Sequence, residues 1–209
     1  MKYYLFDFDG TLVDSMPYYG AVMTGILDEY GIEYPDDIIK IITPLGFPGT
    51  ARYFIGMGVK STEEELLYKM TSRLSIEYET KIPAKESVEE TLRALKSRGY
   101  SLNILTASPH TSLDPCLKRC GIFELFDNVW SCDDFSTTKA DPEIYKMAAE
   151  RIGCEVGELT FLDDNLGADK TAKAAGCTVI GVYDDSSRDC EDDIRAATDG
   201  YIYKFSELL

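Results

Sequence analysis

The chain has 209 residues, of which 44% are hydrophobic and 28% are charged. This composition is that of a folded globular protein and excludes a disordered or low-complexity polymer. Its 21 basic and 37 acidic side chains give a net charge of −16, which disfavours nucleic acid and anionic membrane surfaces as partners. No apolar run approaches the roughly 20 residues of a membrane span, and the six cysteines form no CxxC pair. We therefore expect a cytoplasmic protein with reduced thiols and no evident obligate protein partner.

Five short apolar runs predict buried β-strands, and helical patterns alternate with them. The strands are expected at residues 2–8, 101–106, 128–131, 159–162 and 178–183. The helices are expected at residues 87–98, 111–120, 142–152 and 168–175. This alternation predicts an α/β fold with a Rossmann-like parallel sheet that is covered by helices on both faces.

Residues 15–84 interrupt the alternation, because they contain helical patterns and prolines but no convincing core strand. Within them, an apolar side chain recurs every four residues and gives one helix an apolar stripe, formed by Leu66, Met70, Leu74 and Tyr78. We therefore predict two domains. Residues 1–14 and 85–209 form an α/β core, and residues 15–84 form a small inserted helical cap.

Ligands of open parallel sheets bind beyond the carboxyl ends of the strands, so the polar residues that follow each apolar run are the candidates for a site. In this chain they are Asp7, Asp9, Thr106, Ser108, Asp163 and Asp164, to which the segment before the helix at 142–152 adds Lys139. Clustered carboxylates repel one another unless a cation offsets their charge, and an all-oxygen site suits Mg²⁺. Since the chain has a single histidine, His110, it cannot form a multi-histidine metal centre. It also lacks the Gly-x-Ser-x-Gly turn of many serine hydrolases.

The order and spacing of these residues resemble the four motifs of the haloacid dehalogenase (HAD) superfamily. The matching positions are Asp7-Phe8-Asp9-Gly10-Thr11, then Thr106, then Lys139 with Asp141-Pro142, and then Asp163-Asp164 with Asp169. The resemblance covers the whole predicted core. The insert after the first motif is similar to the helical cap of the phosphoglycolate phosphatase and beta-phosphoglucomutase branch. The resemblance implies a Mg²⁺-dependent phosphatase that acts on a small phosphorylated metabolite.

The resemblance also implies a catalytic role for each motif residue. Asp7 would be the nucleophile that forms an aspartyl-phosphate, and Asp9 would protonate the leaving oxygen and then activate water. Thr106 and the Ala107 amide would hold the oxygens of the transferring phosphoryl group, and Lys139 would offset their negative charge.

Four aspartates make up the implied metal site. Asp7 and Asp9 would bind Mg²⁺, Asp9 through its backbone carbonyl. Asp164 is the expected direct ligand from the fourth motif, and Asp163 is the alternative to it. Asp169 would orient metal-bound waters or the lysine of the third motif.

Substrate specificity is expected to depend on the cap. Arg52 lies where relatives often place a cap arginine that faces the active site, and it would either grip a second anionic group or form a surface salt bridge. Ser108 and His110 lie in a loop that faces the substrate in relatives, although His110 could equally be an ordinary loop residue.

Two alternatives to hydrolysis remain open. A sugar-phosphate mutase of the beta-phosphoglucomutase type uses the same aspartyl-phosphate, but that branch typically has His and Lys where this chain has Tyr19 and Pro109. A non-catalytic phosphometabolite-binding protein could use the same scaffold, and the complete set of motif residues argues against it. A dehalogenase is disfavoured because that chemistry usually lacks the second aspartate, Asp9.

Overall fold

The computed structural model describes residues 2–209 and contains a six-stranded, entirely parallel sheet. Its strands are β1 (Tyr3–Phe6), β2 (Ser101–Thr106), β3 (Asn128–Ser131), β4 (Leu159–Asp163), β5 (Thr178–Val182) and β6 (Gly200–Ile202). Their spatial order is β3-β2-β1-β4-β5-β6, so β1 lies between β2 and β4. The five predicted strands are confirmed. The sixth was missed because three residues are too few to show a period.

The chain divides into two compact units. The first runs to Asp14 and resumes over Pro83–Leu209, and the second is Ser15–Ile82. The first unit contains the sheet. The helical content of the second unit agrees with the predicted fold class, while the assignment of residues 15–84 as a functional cap stays a prediction.

The second unit consists of four helices: α1 (Met16–Glu29), α2 (Ile38–Ile42), α3 (Gly46–Gly56) and α4 (Glu63–Thr80). Helix α4 begins with a capping box, in which the Thr62 hydroxyl accepts from the Glu65 amide and the Glu65 carboxylate accepts from the Thr62 amide. The predicted apolar stripe of α4 is confirmed, because its four residues are all buried. Two of them join the apolar core that the four helices share.

Among the described residues, the first unit has five α-helices: α5 (Val88–Ser97), α6 (His110–Arg119), α7 (Glu143–Ile152), α8 (Leu166–Ala175) and α9 (Glu191–Ala197). Neighbouring residues of a strand point to opposite faces of the sheet. Leu5 of β1 accordingly lies in the core that includes residues of α7 and α8. Phe6 faces the other side and stacks on Phe205, with ring centroids 6.0 Å apart. The parallel α/β fold predicted from the sequence is therefore confirmed.

The part of the chain that the structure describes has no helix with the length and apolar character needed to cross a lipid bilayer. All six cysteines are free thiols, in agreement with the expectation from the sequence.

Candidate active site

Asp7 and Asp9 directly follow β1. The Asp7 amide donates to the Leu162 carbonyl at 2.8 Å, which extends the pairing with β4 one residue past the end of the strand. The chain then turns sharply, and the Leu12 amide donates to the Phe8 carbonyl at 2.8 Å. Because β1 lies between β2 and β4, this turn stands at the carboxyl edge of the sheet with a strand end on each side.

Lys139 brings two of the predicted site residues together. Its Nζ lies 2.6 Å from Oδ1 of Asp7 and 2.7 Å from Oδ2 of Asp163. Burial lowers the pKa of this lysine, but the carboxylates of Asp163 and Asp7 outweigh that effect and hold the pKa well above its usual value. The lysine is therefore a fixed positive charge beside Asp7. Its backbone carbonyl accepts a hydrogen bond from the Tyr145 hydroxyl at 3.1 Å, which anchors the loop before α7.

Three buried carboxylates form a compact cluster at the same edge. Oxygen atoms of Asp7, Asp163 and Asp164 all lie within 4.8 Å of one another. Burial and the neighbouring negative charges raise the pKa of Asp163 to about 7 and that of Asp164 well above its usual value. Buried carboxylates of like charge are stabilised by a cation, and oxygen ligands of this kind suit a hard divalent ion. The donor set of the cluster therefore fits a magnesium-type metal site.

Asp163 and Asp164 differ in their surroundings although they are neighbours in sequence. Asp163 already pairs with Lys139, and its other oxygen accepts from the Asn165 amide at 2.8 Å. Asp164 accepts from the Thr11 hydroxyl at 3.0 Å. The Thr11 contact links the turn after β1 to the end of β4, and its role was not identified from the sequence.

The Asp9 carboxylate is oriented by the loop after β2. The Ser108 hydroxyl donates a hydrogen bond to Oδ2 of Asp9. The Ser108 amide in turn donates to the buried Thr106 hydroxyl at 3.1 Å, which tightens the turn through Ala107. The structure thus joins the first and second motifs by a contact that sequence reasoning missed. The Asp9 side chain lies outside the three-carboxylate cluster, and its predicted metal contact through the backbone carbonyl stays a prediction.

Both ring nitrogens of His110, the first residue of α6, contact carboxylates. Nδ1 lies 2.8 Å from Oδ1 of Asp114, and Nε2 lies 2.9 Å from Oδ2 of Asp134. These hydrogen bonds raise the pKa of the imidazole above its usual value. Contact with a substrate would require His110 to exchange one of these partners, so its substrate role stays a prediction.

Arg52 lies on α3 in the second unit. Its exposed guanidinium pairs with the Glu63 carboxylate at 2.7 Å. This contact is the surface salt bridge that is one of the two alternatives for Arg52. The other alternative, contact with an anionic group of the substrate, stays a prediction.

Asp169, in the first turn of α8, is completely buried, and neither of its carboxylate oxygens has a hydrogen-bond partner within the described residues. Burial and the nearby charge of Asp163 raise its pKa to about 8. A buried carboxyl group without partners is costly when it is ionised. Its role in orienting waters or Lys139 stays a prediction.

Comparison with known proteins agrees with the arrangement of these motifs. The family model of haloacid dehalogenase-like hydrolases matches residues 4–182. Pyrophosphatase PpaX of Bacillus velezensis is 32% identical over 181 residues, which cover 85% of this chain and 81% of that protein. Phosphoglycolate phosphatase of Haemophilus influenzae is 27% identical over 186 residues, which cover 85% of this chain and 83% of that protein.

A solved structure supports the fold. A CbbY variant from Rhodobacter sphaeroides, crystallised in complex with xylulose-1,5-bisphosphate, matches with a TM-score of 0.82 at 19% identity. The match covers 100% of this chain and 96% of the other. Together with the buried Asp7–Lys139 pair and the carboxylate cluster, the family match establishes that the chain is an enzyme that belongs to the haloacid dehalogenase-like hydrolase family.

Proposed function

We propose that this enzyme is a Mg²⁺-dependent phosphatase that hydrolyses the phosphate monoester of a small metabolite through an aspartyl-phosphate on Asp7. The observation that carries the proposal is the position of Asp7, which has Lys139 at 2.6 Å and belongs to a buried cluster of carboxylates. This combination gives a nucleophile, a fixed positive charge and oxygen ligands at one sheet edge. Two relatives, a pyrophosphatase and a phosphoglycolate phosphatase, support the proposal of phosphoryl chemistry.

The carboxylates of Asp7 and Asp164 and the backbone carbonyl of Asp9 would hold the metal ion. Asp164 is favoured over Asp163 because Asp163 already shares its charge with Lys139 at 2.7 Å. When bound, Mg²⁺ would supply positive charge that offsets the negative charge of the phosphoryl group.

In the first step, a carboxylate oxygen of Asp7 attacks the phosphorus atom, and the bond from phosphorus to the ester oxygen breaks. The leaving oxygen takes a proton from the carboxyl group of Asp9, so an alcohol leaves and an aspartyl-phosphate remains. The Ser108 hydroxyl, which donates to Asp9, would hold this carboxyl group in position.

In the second step, Asp9 accepts a proton from a water molecule whose oxygen attacks the phosphorus atom. The bond to Asp7 breaks, inorganic phosphate leaves, and both aspartates return to their starting states. Division into two steps replaces one difficult displacement with two easier ones.

Phosphoryl oxygens in this site would face three groups of the chain. Lys139 supplies a positive charge, and the Thr106 hydroxyl and the Ala107 amide supply hydrogen-bond donors at the end of β2. Donors that are already in place cost little reorganisation when charge develops. Farther from the phosphorus atom, Ser108, His110 and Arg52 are the candidates for contact with the rest of the substrate.

The test is the release of inorganic phosphate from a panel of phosphorylated metabolites. Wild-type enzyme is assayed with Mg²⁺ and with EDTA, beside Asp7→Asn as the matched variant without a nucleophile. We expect turnover of at least one sugar or small-acid monophosphate with Mg²⁺ and none in EDTA. If the enzyme hydrolyses no substrate of the panel in a metal-dependent way, the alternative of a non-catalytic binding protein is favoured.

The same panel separates the phosphatase from the sugar-phosphate mutase. A mutase must return the phosphoryl group to a bound intermediate and suppress attack by water. We expect phosphate release without any bisphosphate activator, because Tyr19 and Pro109 replace two polar groups typical of that branch. Conversion of one sugar-phosphate isomer into another, faster than phosphate release and stimulated by a sugar bisphosphate, would establish the mutase instead.

A further inference from the structure

Lys85 is a largely buried lysine that the mechanism above does not use. It lies two residues after Pro83, where the first unit resumes. Its amide donates to the Leu12 carbonyl at 3.0 Å, and its neighbour Ala84 forms an antiparallel bridge with Val13. The segment that carries Lys85 is therefore held against the residues that follow the first motif.

All three protons of the Lys85 ammonium group have an acceptor. Nζ donates to the Gly10 carbonyl and to the Tyr183 carbonyl, the latter at 2.7 Å. It also pairs with Oδ2 of Asp184 at 2.8 Å. An ammonium group with three acceptors has no free donor, so its position is determined by all three. Lys85 thereby ties the turn after β1 to the residues that follow β5.

The Gly10 carbonyl lies between two residues of the site, Asp9 and Thr11. Gly10 itself packs directly against the Asp164 carboxylate, and the Thr11 hydroxyl donates to the same carboxylate at 3.0 Å. A shift of the Gly10 carbonyl would therefore move the Asp9 side chain and the Asp164 contact together.

A purely structural role for Lys85 is the competing explanation. Asp184 is buried, with 4% of its side chain exposed, and it also accepts from the Ser186 amide and hydroxyl. Without Lys85 this carboxylate would keep only neutral partners among these contacts, and an uncompensated buried charge destabilises a fold. The loss of Lys85 alone would then reduce stability whatever its effect on the site.

The two charges of the pair act on Asp164 in opposite directions, because Asp184 raises the pKa of Asp164 and Lys85 lowers it. Removal of both charges leaves the net charge of the region unchanged. What remains distinctive of Lys85 is its pair of hydrogen bonds to backbone carbonyls, of which the one to Gly10 reaches the turn after β1.

We propose that Lys85 is a positioning residue that holds the turn between Asp9 and Thr11 in its active geometry through the Gly10 carbonyl, while Asp184 balances its charge. The expected effect of Lys85 on the rate of phosphate release rests on the proposed phosphatase function. The expected effect of Lys85 on the geometry of the turn rests only on the contacts of its side chain.

The test compares Lys85→Met/Asp184→Asn with Asp184→Asn alone. The double variant removes both charges, and the Asn side chain can still accept from the Ser186 amide, so we expect its stability to lie near that of the wild type. Asp184→Asn keeps both carbonyl contacts of Lys85 and serves as the matched control. Lys85→Met alone is expected to be the least stable of the three.

In the double variant we expect kcat to fall by about 10- to 100-fold, the range caused by small misplacements of catalytic groups. We expect Asp184→Asn to keep at least about a third of the wild-type kcat, since the Lys85 contact with Gly10 is retained. Amide hydrogen exchange at Leu12 and Val13, measured by NMR, should be faster in the double variant than in the control. A wild-type kcat or unchanged exchange in the double variant would overturn the proposal.

The exchange measurement also separates this inference from the proposed function. If wild-type enzyme releases no phosphate from any monoester, the phosphatase proposal fails, and the exchange rates alone then decide whether Lys85 holds the turn. If phosphate is released and the double variant is as active as the control, only the positioning role fails.

Discussion

Gly10 and Asp164 approach so closely that no side chain fits between them: a Cβ atom at residue 10 would lie 2.5 Å from Oδ2 of Asp164. Gly10 also has a φ of +71°, in the left-handed region that side chains disfavour. Two separate physical reasons thus require glycine at this position.

Gly10→Ala is expected to reduce both stability and activity, and Gly99→Ala is the matched control. Gly99 has a φ of +78° but no atom within 4 Å of the added Cβ, so it carries only the backbone cost of about 1–2 kcal/mol. Gly10→Ala carries that cost and the clash with Asp164. Urea unfolding measures how much unfolding free energy each variant loses relative to the wild type. Equal losses in the two variants would show that the clash with Asp164 is relieved at no cost.

Asp7→Asn is expected to lower phosphate release by at least about 1000-fold while the fold is retained, because an amide of nearly the same volume is a poor nucleophile. Circular dichroism checks the fold, and release of inorganic phosphate checks activity. Asp192→Asn, which makes the same change at an exposed position in the first unit, should behave as the wild type. Retention of a tenth of wild-type activity by Asp7→Asn would contradict the covalent mechanism.

Asp164→Asn is expected to weaken Mg²⁺ binding more than Asp163→Asn. One carboxylate oxygen of Asp163 pairs with Lys139 and the other accepts from the Asn165 amide, so these oxygens are less available to a metal ion. Calorimetric titration with Mg²⁺ measures both dissociation constants, and we expect them to differ by about 10-fold or more. The reverse order would exchange the two roles.

Asp169 is expected to make the stability of the metal-free protein depend on pH. Its pKa of about 8 in the folded protein exceeds the usual value of 3.8, so the folded protein keeps a proton that the unfolded chain releases. The protonated Asp169 carboxyl group therefore contributes its full share to the free energy of unfolding at low pH. This share is lost as the pH rises from about 4 to about 8.

Asp169→Asn removes this proton linkage. As the pH rises from 5 to 8, the difference in unfolding free energy between the variant and the wild type should shift in favour of the variant by up to about 4 kcal/mol. Urea unfolding in EDTA at both pH values measures this shift, and the exposed Asp36→Asn controls for the loss of one negative charge. An equal pH dependence in Asp169→Asn and the wild type would mean that the buried carboxyl group is ionised in both states.

The sequence by itself was sufficient to predict the parallel sheet, its five longer strands and the residues that meet at its carboxyl edge. These features depend on local patterns, since apolar runs mark buried strands and parallel strands place their ends together. The contacts of Lys139 with Asp7 and Asp163 agree with that prediction, because Asp7 follows β1, Asp163 ends β4 and Lys139 lies in the loop that leads from β3 to α7. Strand β6 is not predicted from the sequence, because its three residues are too few to show a hydrophobic pattern.

Only the tertiary structure decided which side chains hold the site together. Lys85 and Gly10 are 75 residues apart in sequence, and the hydrogen bond from Ser108 to Asp9 joins residues 99 apart. No local sequence pattern indicates which lysine or serine makes such a contact. A lysine or serine that is exposed to solvent has the same side-chain chemistry as one that is buried in the site. Packing of the chain determines which donors are buried, and a buried donor must find an acceptor nearby. His110 shows the same dependence, since packing of α6 places its ring between Asp114 and Asp134.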